Sequence, residues 1–445
     1  MRPPILEELR GWGGSCHSRS WVYRPQTTAE VAECLADAQT TGLTVAHRGA
    51  GLSYGDAALN EGGAVIDMSG LDRILEFDSE RGFVRAEAGC TLETIWKTVL
   101  PKGWWPPVVP GTMYVTVGGA VAMDVHGKNH WRRGTFGDHV QRMTLLGRSG
   151  EQWSLSRHEH PEQLQAAIGT FGLTGTILDV TLSLERVVSG FLSVRSSKCG
   201  TIAEIIEMVG RSAEASEYSV GWVDCFSRAG RGIVHTADYL SGGHHLEGKG
   251  LAVSEQQLPS RALGLVPKQF IWRLLRVMTN DAGMRALNSM KYWLTAARTS
   301  FQSHAAFHFL LDYVPNWKLA YGSAGLIQYQ FFIPTDSARG VFKRVLQMQR
   351  DAGVMSYLGV VKRHRVGKSS WSYSVDGFSL ALDFPAVAKN ADRLTVLLRE
   401  YDVIQAAEGG RIYAAKDSGS VGMLPGARDP AFSSDLARRW EGSLN

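Results

Sequence analysis

Apolar positions in the first part of the chain change period at short intervals, and each change predicts an element. In QTTAEVAECLADAQTTG, residues 26–42, Val31, Leu35 and Ala38 share one helical face, Thr27 with Glu30 forms a capping box, and Gly42 ends the helix. LTVAHRGAGLSYGD then reads as a short strand entering a glycine turn. AVIDMSGLDRILEFDSERGFVRAEAG alternates between turn signals, as strands do. TLETIWKTVLPKG predicts a second helix, capped by Thr91 with Glu93 nearby and stopped by Pro101 and Gly103. Helices and strands interleaved in this way give an α+β class.

The texture changes near residue 190. FLSVRSSKCGTIAEIIEMVGRSAEASEYSVGWVDCF predicts strand, helix and strand; AGLIQYQFFIP and SLALDFP predict later strands, with SARGVFKRVLQMQRDAG a helix between them. A second, sheet-based domain follows from this shift. Between them, residues 266–299 set aromatic and long apolar residues against Lys268, Arg273, Arg276, Arg285, Lys291 and Arg298, opposed only by Asp281. That pattern suits a helix pair, resting either on a membrane surface or on the core with a solvated basic face.

Bulk properties narrow the classes. A chain of 445 residues exceeds the usual size of one hydrophobic core. A net charge of +4 is too small to argue for a nucleic-acid partner. Cys16, Cys34, Cys90, Cys199 and Cys225 are scattered without a C-x-x-C spacing, which fits a reducing compartment. No run reaches the roughly 18 apolar residues of a spanning helix, so a soluble or peripheral protein is expected.

Three stretches carry candidate chemistry. HGKNH places His126 and His130 four apart, but Gly127 stands where a zincin has its catalytic glutamate, and no third ligand follows in pattern, so no metal is expected. GLSYG matches a nucleophile elbow with Ser53, yet no helix-forming segment follows it. Taken together, the glycine clusters say more: Gly49, Gly51 and Gly55, then Gly111, Gly118, Gly119 and Gly127, then Gly172 and Gly175. Tyr54 occupies the third glycine position of a dinucleotide fingerprint, which argues against a Rossmann site. Three clusters allowing close backbone approach point to a large, extended cofactor.

RGAGLSYGD, TVGGAVAMDVHGKNH, FGLTGTI, QYQF, LDFP and GGRIYAAKDS make the chain resemble the flavoenzymes with the vanillyl-alcohol-oxidase/p-cresol-methylhydroxylase type of FAD-binding fold. Within them it is most similar to the family of decaprenylphosphoryl-ribose 2′-oxidases. The resemblance implies an FAD-binding domain over residues 1–189, an inserted substrate domain over 190–405 and a C-terminal return over 406–445. It assigns the cofactor to His47, Arg48, Gly49, Ala50, Gly51, Leu52, Ser53, Tyr54, Gly55, Asp56 and Ala57, to Gly111, to Thr116, Val117, Gly118 and Gly119, and to His126, Ile177 and Tyr413. Leu52 fills the position at which related flavoproteins attach FAD through a histidine, so non-covalent FAD is expected.

The implied reaction oxidises the C2 hydroxyl of a polyprenyl-phosphoryl ribose to the keto sugar, and a separate NAD(P)H-dependent reductase would return it as the epimer. Lys416, His126, Lys128 and Tyr54 are the expected catalytic groups; Trp222, Gln328, Gln330, Lys362, Ser379 and Ala381 would line the substrate pocket. Ser379 and Ala381 depart from the asparagine and cysteine found there in the family. A lipid-linked anionic substrate favours the membrane reading of residues 266–299, peripheral to the inner face of the membrane and otherwise cytoplasmic. The alternative is a sugar-lactone or alditol oxidase of the same fold.

Overall fold

The computed structural model describes residues 2–258, 260–262, 266–369, 371–417 and 428–442. Ser418 of the AKDS motif lies outside them. Both expected N-terminal helices form where their caps place them. Thr27 Oγ1 accepts from Glu30 N at 3.2 Å ahead of Thr28–Thr40, and Thr91 Oγ1 accepts from Thr94 N at 3.2 Å ahead of Leu92–Val99. Each such cap satisfies an amide that the helix itself leaves unpaired.

Two sheets build the first core. One runs in the order Ile5–Arg10, His17–Tyr23, Ala64–Asp67, Val45–Arg48, with the last two pairings parallel. The other is antiparallel, in the order Ile74–Asp78, Phe83–Glu87, Thr176–Ser183, Val140–Leu146, Gln152–Ser156. Their buried side chains form one cluster, which Phe432 and Ala437 also join from near the C-terminus. Ala305 and Phe309, on and just after the short helix His304–His308, join it too, although the sequence assigns them to the middle of the chain.

The second body is an eight-stranded antiparallel sheet in the order Thr299–Ser303, Phe191–Cys199, Gly232–Tyr239, Tyr218–Val223, Leu358–His364, Gly377–Pro385, Leu326–Pro334, Arg411–Ile412. Helices Ile202–Ala215, Thr335–Asp351 and Ala391–Ala407 contribute to a common core with one face of this sheet. Period-two alternation decides which side chains face them. Tyr329, Phe331 and Ile333 enter the helical core. Gln328, Gln330 and Phe332 therefore face the other way, and register carries the same face across the sheet: Gln330 pairs with Ala381, Ala381 with Val360, and Val360 with Trp222. On that face Lys362 lies opposite Ser379, and Gln328 opposite Asp383.

Two local readings needed the structure. The glycine-rich TVGGAVAM contains a helix, Val117–Ala122, started by Thr116 Oγ1 accepting from Gly119 N at 3.3 Å. HGKNH, in contrast, is not one helix: His126 bridges to Thr135 as extended backbone, and the helix begins at His130. The two histidines thus cannot present one helical face, which removes the geometric basis of a zincin reading. No helix follows Ser53 either, so the elbow reading lacks its structure. Residues 266–299 contain the expected pair, Ile271–Met278 and Asp281–Leu294.

Candidate active site

Strand Val45–Arg48 delivers the chain into a turn at which Gly51 takes φ +65°, a left-handed conformation open mainly to glycine. The turn crosses close to the start of Val117–Ala122: a Cβ on Gly49 would lie 2.1 Å from Thr116 Oγ1, and one on Gly118 would lie 2.8 Å from Ala88 Cβ. Between these segments lies a cavity of about 860 Å³. His47, Arg48, Gly49, Ala50, Gly51, Leu52, Ser53, Ala57, Thr116, Gly118, Gly119 and Ile177, all expected at the cofactor, line it. Met68, Ala88, Met123, Phe171, Gly172, Gly175 and Ala415 line it as well.

The chemistry of this cavity fits FAD. Its lining is largely apolar, contains no carboxylate, and offers the Arg48 guanidinium to an anionic group. His47 contributes as a neutral ring: burial pushes it down to about 4, and its Nε2 sits 2.7 Å from Thr176 Oγ1.

Several expected cofactor residues are engaged elsewhere. Asp56 pairs with Arg439 of the C-terminal helix at 2.9 Å, and Gly55 packs against Asp417. Val117 is fully buried in the first core. Gly111 meets Leu311, whose N–H donates to its carbonyl at 3.0 Å. Tyr54, His126 and Tyr413 belong instead to a polar cluster beside the cavity.

That cluster forms where the HGKNH loop meets the polar face of the large sheet. His126 Nε2 lies 3.0 Å from the Gln330 side-chain nitrogen, and its Nδ1 lies 3.3 Å from Lys362 Nζ. The Tyr413 and Tyr373 rings flank it at 5.2 and 5.8 Å. The returning chain is pinned to the same strand, because Tyr413 N donates to Gln330 O and Asp417 N to Gln328 O. This return brings Lys416 Nζ to 3.9 Å from the centre of the Tyr54 ring. Gln328 donates to Asp383, and its own N–H donates to Asp417 Oδ2 at 2.9 Å. Trp222 lies further along the face with Lys291 Nζ over its ring at 4.2 Å. Lys128 Nζ donates instead to the carbonyls of Phe307 and His308, tying the loop to the short helix there.

Burial dominates the electrostatics. It keeps His126 far below the usual imidazole range, with nearby Lys362 adding to the effect. Lys362 falls to about 8 through burial. Lys416 is lowered by burial while Asp383 opposes the fall, and the Tyr54 phenol is driven well above its ordinary value. The result is a pair of buried amines beside neutral rings, suited to proton exchange and to an anionic ligand.

Asp383, Asp417 and His364 are site neighbours absent from the sequence expectations. A period-two reading from Ala381 to Asp383 and from Lys362 to His364 could have found two of them. Asp417 required the return crossing.

Comparison with known proteins supplies the rest. Residues 20–156 match an FAD binding domain. The chain is 33% identical to decaprenylphosphoryl-β-D-ribose oxidase of Mycolicibacterium smegmatis, over 98% of each chain. L-gulonolactone oxidase of Mus musculus is 29% identical over 45% of this chain and 44% of its own. L-gulono-1,4-lactone dehydrogenase of Mycobacterium tuberculosis is 28% identical over 45% of each.

Burial lifts the Asp417 carboxyl to about 7, partly offset by the Gln328 N–H. The folded protein therefore binds a proton that the unfolded chain has released above about pH 4. Stability attributable to this group falls as pH rises from about 4 to 7. Asp417→Asn should accordingly gain in melting temperature over the parent as pH goes from 5 to 8. An equal difference at both pH values would show that Asp417 ionises normally.

Proposed function

We propose that this chain, which belongs to the decaprenylphosphoryl-β-D-ribose oxidase family of FAD-dependent oxidoreductases, oxidises the C2 hydroxyl of a polyprenyl-phosphoryl-β-D-ribose to the 2-keto sugar. The observation that carries the reading is the polar sheet face bearing Gln328, Gln330, Lys362 and Ser379, closed by His126 and Lys416 beside the cavity. Amides, hydroxyls and amines gathered on one sheet face are the groups that a polyhydroxylated anionic substrate would pair with.

The turn at residues 47–53 with Thr116, Gly118 and Gly119 would hold FAD, which when bound would supply a two-electron acceptor for the hydride. The chain's own groups handle the proton. Tyr54 is unsuited, since burial raises its phenol, whereas the same burial lowers the amines of Lys416 and Lys362. One of these amines takes the hydroxyl proton. The remaining charge suits the anionic sugar phosphate and the reduced cofactor. Leu52 has no nucleophilic atom, and both His126 ring nitrogens already face protein groups, which supports a dissociable flavin.

Two partners follow from this reading. A keto sugar becomes an epimer only when a second enzyme returns a hydride, so an NAD(P)H-dependent reductase completes the sequence. The lipid chain calls for a membrane, and the helix pair supports peripheral contact at its inner face: Leu274, Val277, Trp293 and Leu294 are all at least 67% exposed, on helices that carry Arg273, Arg276 and Arg285. Among the described residues no helix is long and apolar enough to cross a membrane.

Anaerobic mixing of the yellow protein with polyprenyl-phosphoryl ribose should bleach the flavin, and Lys416→Met should slow this by about 100-fold or more while retaining flavin. Bleaching by a sugar lactone but not by the lipid-linked ribose would replace this reading with lactone oxidation. Acid precipitation of the same preparation should leave the flavin in solution; colour in the pellet would refute dissociable binding. Sedimentation with anionic vesicles should carry the protein down at low salt and less at high salt. A protein that stays in the supernatant under both conditions would dismiss membrane contact.

A further inference from the structure

Burial leaves His126 and His130 neutral, so each carries one proton on one of two ring nitrogens. For His130 the backbone decides. Arg365 N–H donates to Nδ1 at 3.4 Å, which leaves Nε2–H to donate to Ser374 Oγ at 2.9 Å. His126 has no such anchor on its Nε2. That nitrogen meets the end of the Gln330 side chain at 3.0 Å, and the same amide end lies 3.4 Å from Ser379 Oγ. Ser379 Oγ in turn lies 2.8 Å from His364 Nε2, and all these groups are buried.

A half-turn of the Gln330 amide exchanges its oxygen and nitrogen at nearly equal volume, so the hydrogen-bond network decides between them. Two directions satisfy every internal link and also use the Ser379 hydroxyl proton within the network. In one, the Gln330 nitrogen donates to His126 Nε2 and to Ser379, Ser379 donates to His364 Nε2, and the His364 proton is left on Nδ1. In the other, His126 Nε2–H and the Ser379 hydroxyl both donate to the Gln330 oxygen, His364 Nε2–H donates to Ser379, and His364 Nδ1 keeps only a lone pair. His364 Nδ1 is buried without a hydrogen-bond partner. An orphaned N–H is costlier than an orphaned acceptor, so the His364 end favours the second direction, which turns the Gln330 NH2 to the side its oxygen leaves. The other end agrees: Lys362, 3.3 Å from His126 Nδ1, can donate there once that nitrogen is free of a proton. Gly127 O, 3.4 Å from Nδ1, favours the opposite tautomer.

We infer that Ser379 and His364 are positioning residues which, through Gln330, hold the His126 proton on Nε2 and leave Nδ1 to accept from Lys362. His126 is then the fixed middle of a hydrogen-bond chain that orients Lys362 and Gln330 in the pocket. This deepens the proposed oxidation site and takes its catalytic meaning from that reading, but the tautomer itself is measurable without substrate.

The test uses FAD-loaded protein labelled with 15N-histidine and long-range 1H–15N spectra, with His126 assigned by its absence in His126→Gln. The parent should show His126 protonated on Nε2. Ser379→Ala and His364→Phe should each move His126 wholly or partly to the Nδ1–H form, while His130, fixed by the backbone, keeps its pattern. His364→Gln retains a donor toward Ser379 and should restore Nε2–H. A parent His126 protonated on Nδ1, or an Nε2–H form untouched by Ser379→Ala and His364→Phe alike, overturns the inference. Neither result depends on flavin bleaching by any sugar, so failure here and failure of the substrate reading are seen separately.

Discussion

The contact between Gln330 and His126, 3.0 Å long and spanning 204 positions of sequence, is where the two bodies of the protein become one site. It exists because strand Leu326–Pro334 is buried on both faces. Tyr329, Phe331 and Ile333 fix one face against helices, so the amides of Gln328 and Gln330 must find partners on the other. The partners come from three directions: the HGKNH loop, the neighbouring strand Gly377–Pro385, and the chain returning through Tyr413 to Asp417. A one-residue slip of this strand would exchange its aromatic and amide faces and dissolve both the helical core and the pocket.

The same burial that demands hydrogen bonds also sets the chemistry. Lys362 and Lys416 share a pocket with neutral histidines and tyrosines, and Asp383 is the carboxylate that most opposes the lowering of Lys416. Desolvation leaves more of each amine unprotonated near neutral pH than in water, and it raises the value of any anion that enters. The adjoining cavity complements this arrangement: it is apolar, free of carboxylates in its lining, and edged by glycines whose side chains would collide with Thr116 or Ala88. The cavity and the polar cluster thus sit side by side, with the loop that carries His126 between them.

Much of this was legible in the sequence, for reasons that differ by element. Thr28–Thr40 and Leu92–Val99 announce themselves by period and caps, and the turn from His47 to Ser53 by its glycines. The helix Val117–Ala122 does not, because Gly118 and Gly119 lower its intrinsic propensity; the Thr116 cap and the burial of Val117, Ala120 and Val121 sustain it instead. Asp56 reads as part of a cofactor turn, yet its partner Arg439 lies 383 positions away. Lys128 reads as a pocket lysine, yet it anchors the loop to the carbonyls of Phe307 and His308. Such roles depend on which distant segment folds alongside, and residue spacing does not encode that.

Presentation of the C2 position of a lipid-linked ribose for hydride removal is the role proposed for the polar sheet face. It is tested most directly with polyprenyl-phosphoryl ribose carrying deuterium at C2, compared with the same compound labelled at C1, in single-turnover reduction of the enzyme under anaerobic conditions. A primary isotope effect on flavin reduction is expected from the C2 label and none from the C1 label. An effect confined to C1, or equal rates for the C2-labelled and unlabelled compounds in a step shown to be limited by chemistry, would contradict it.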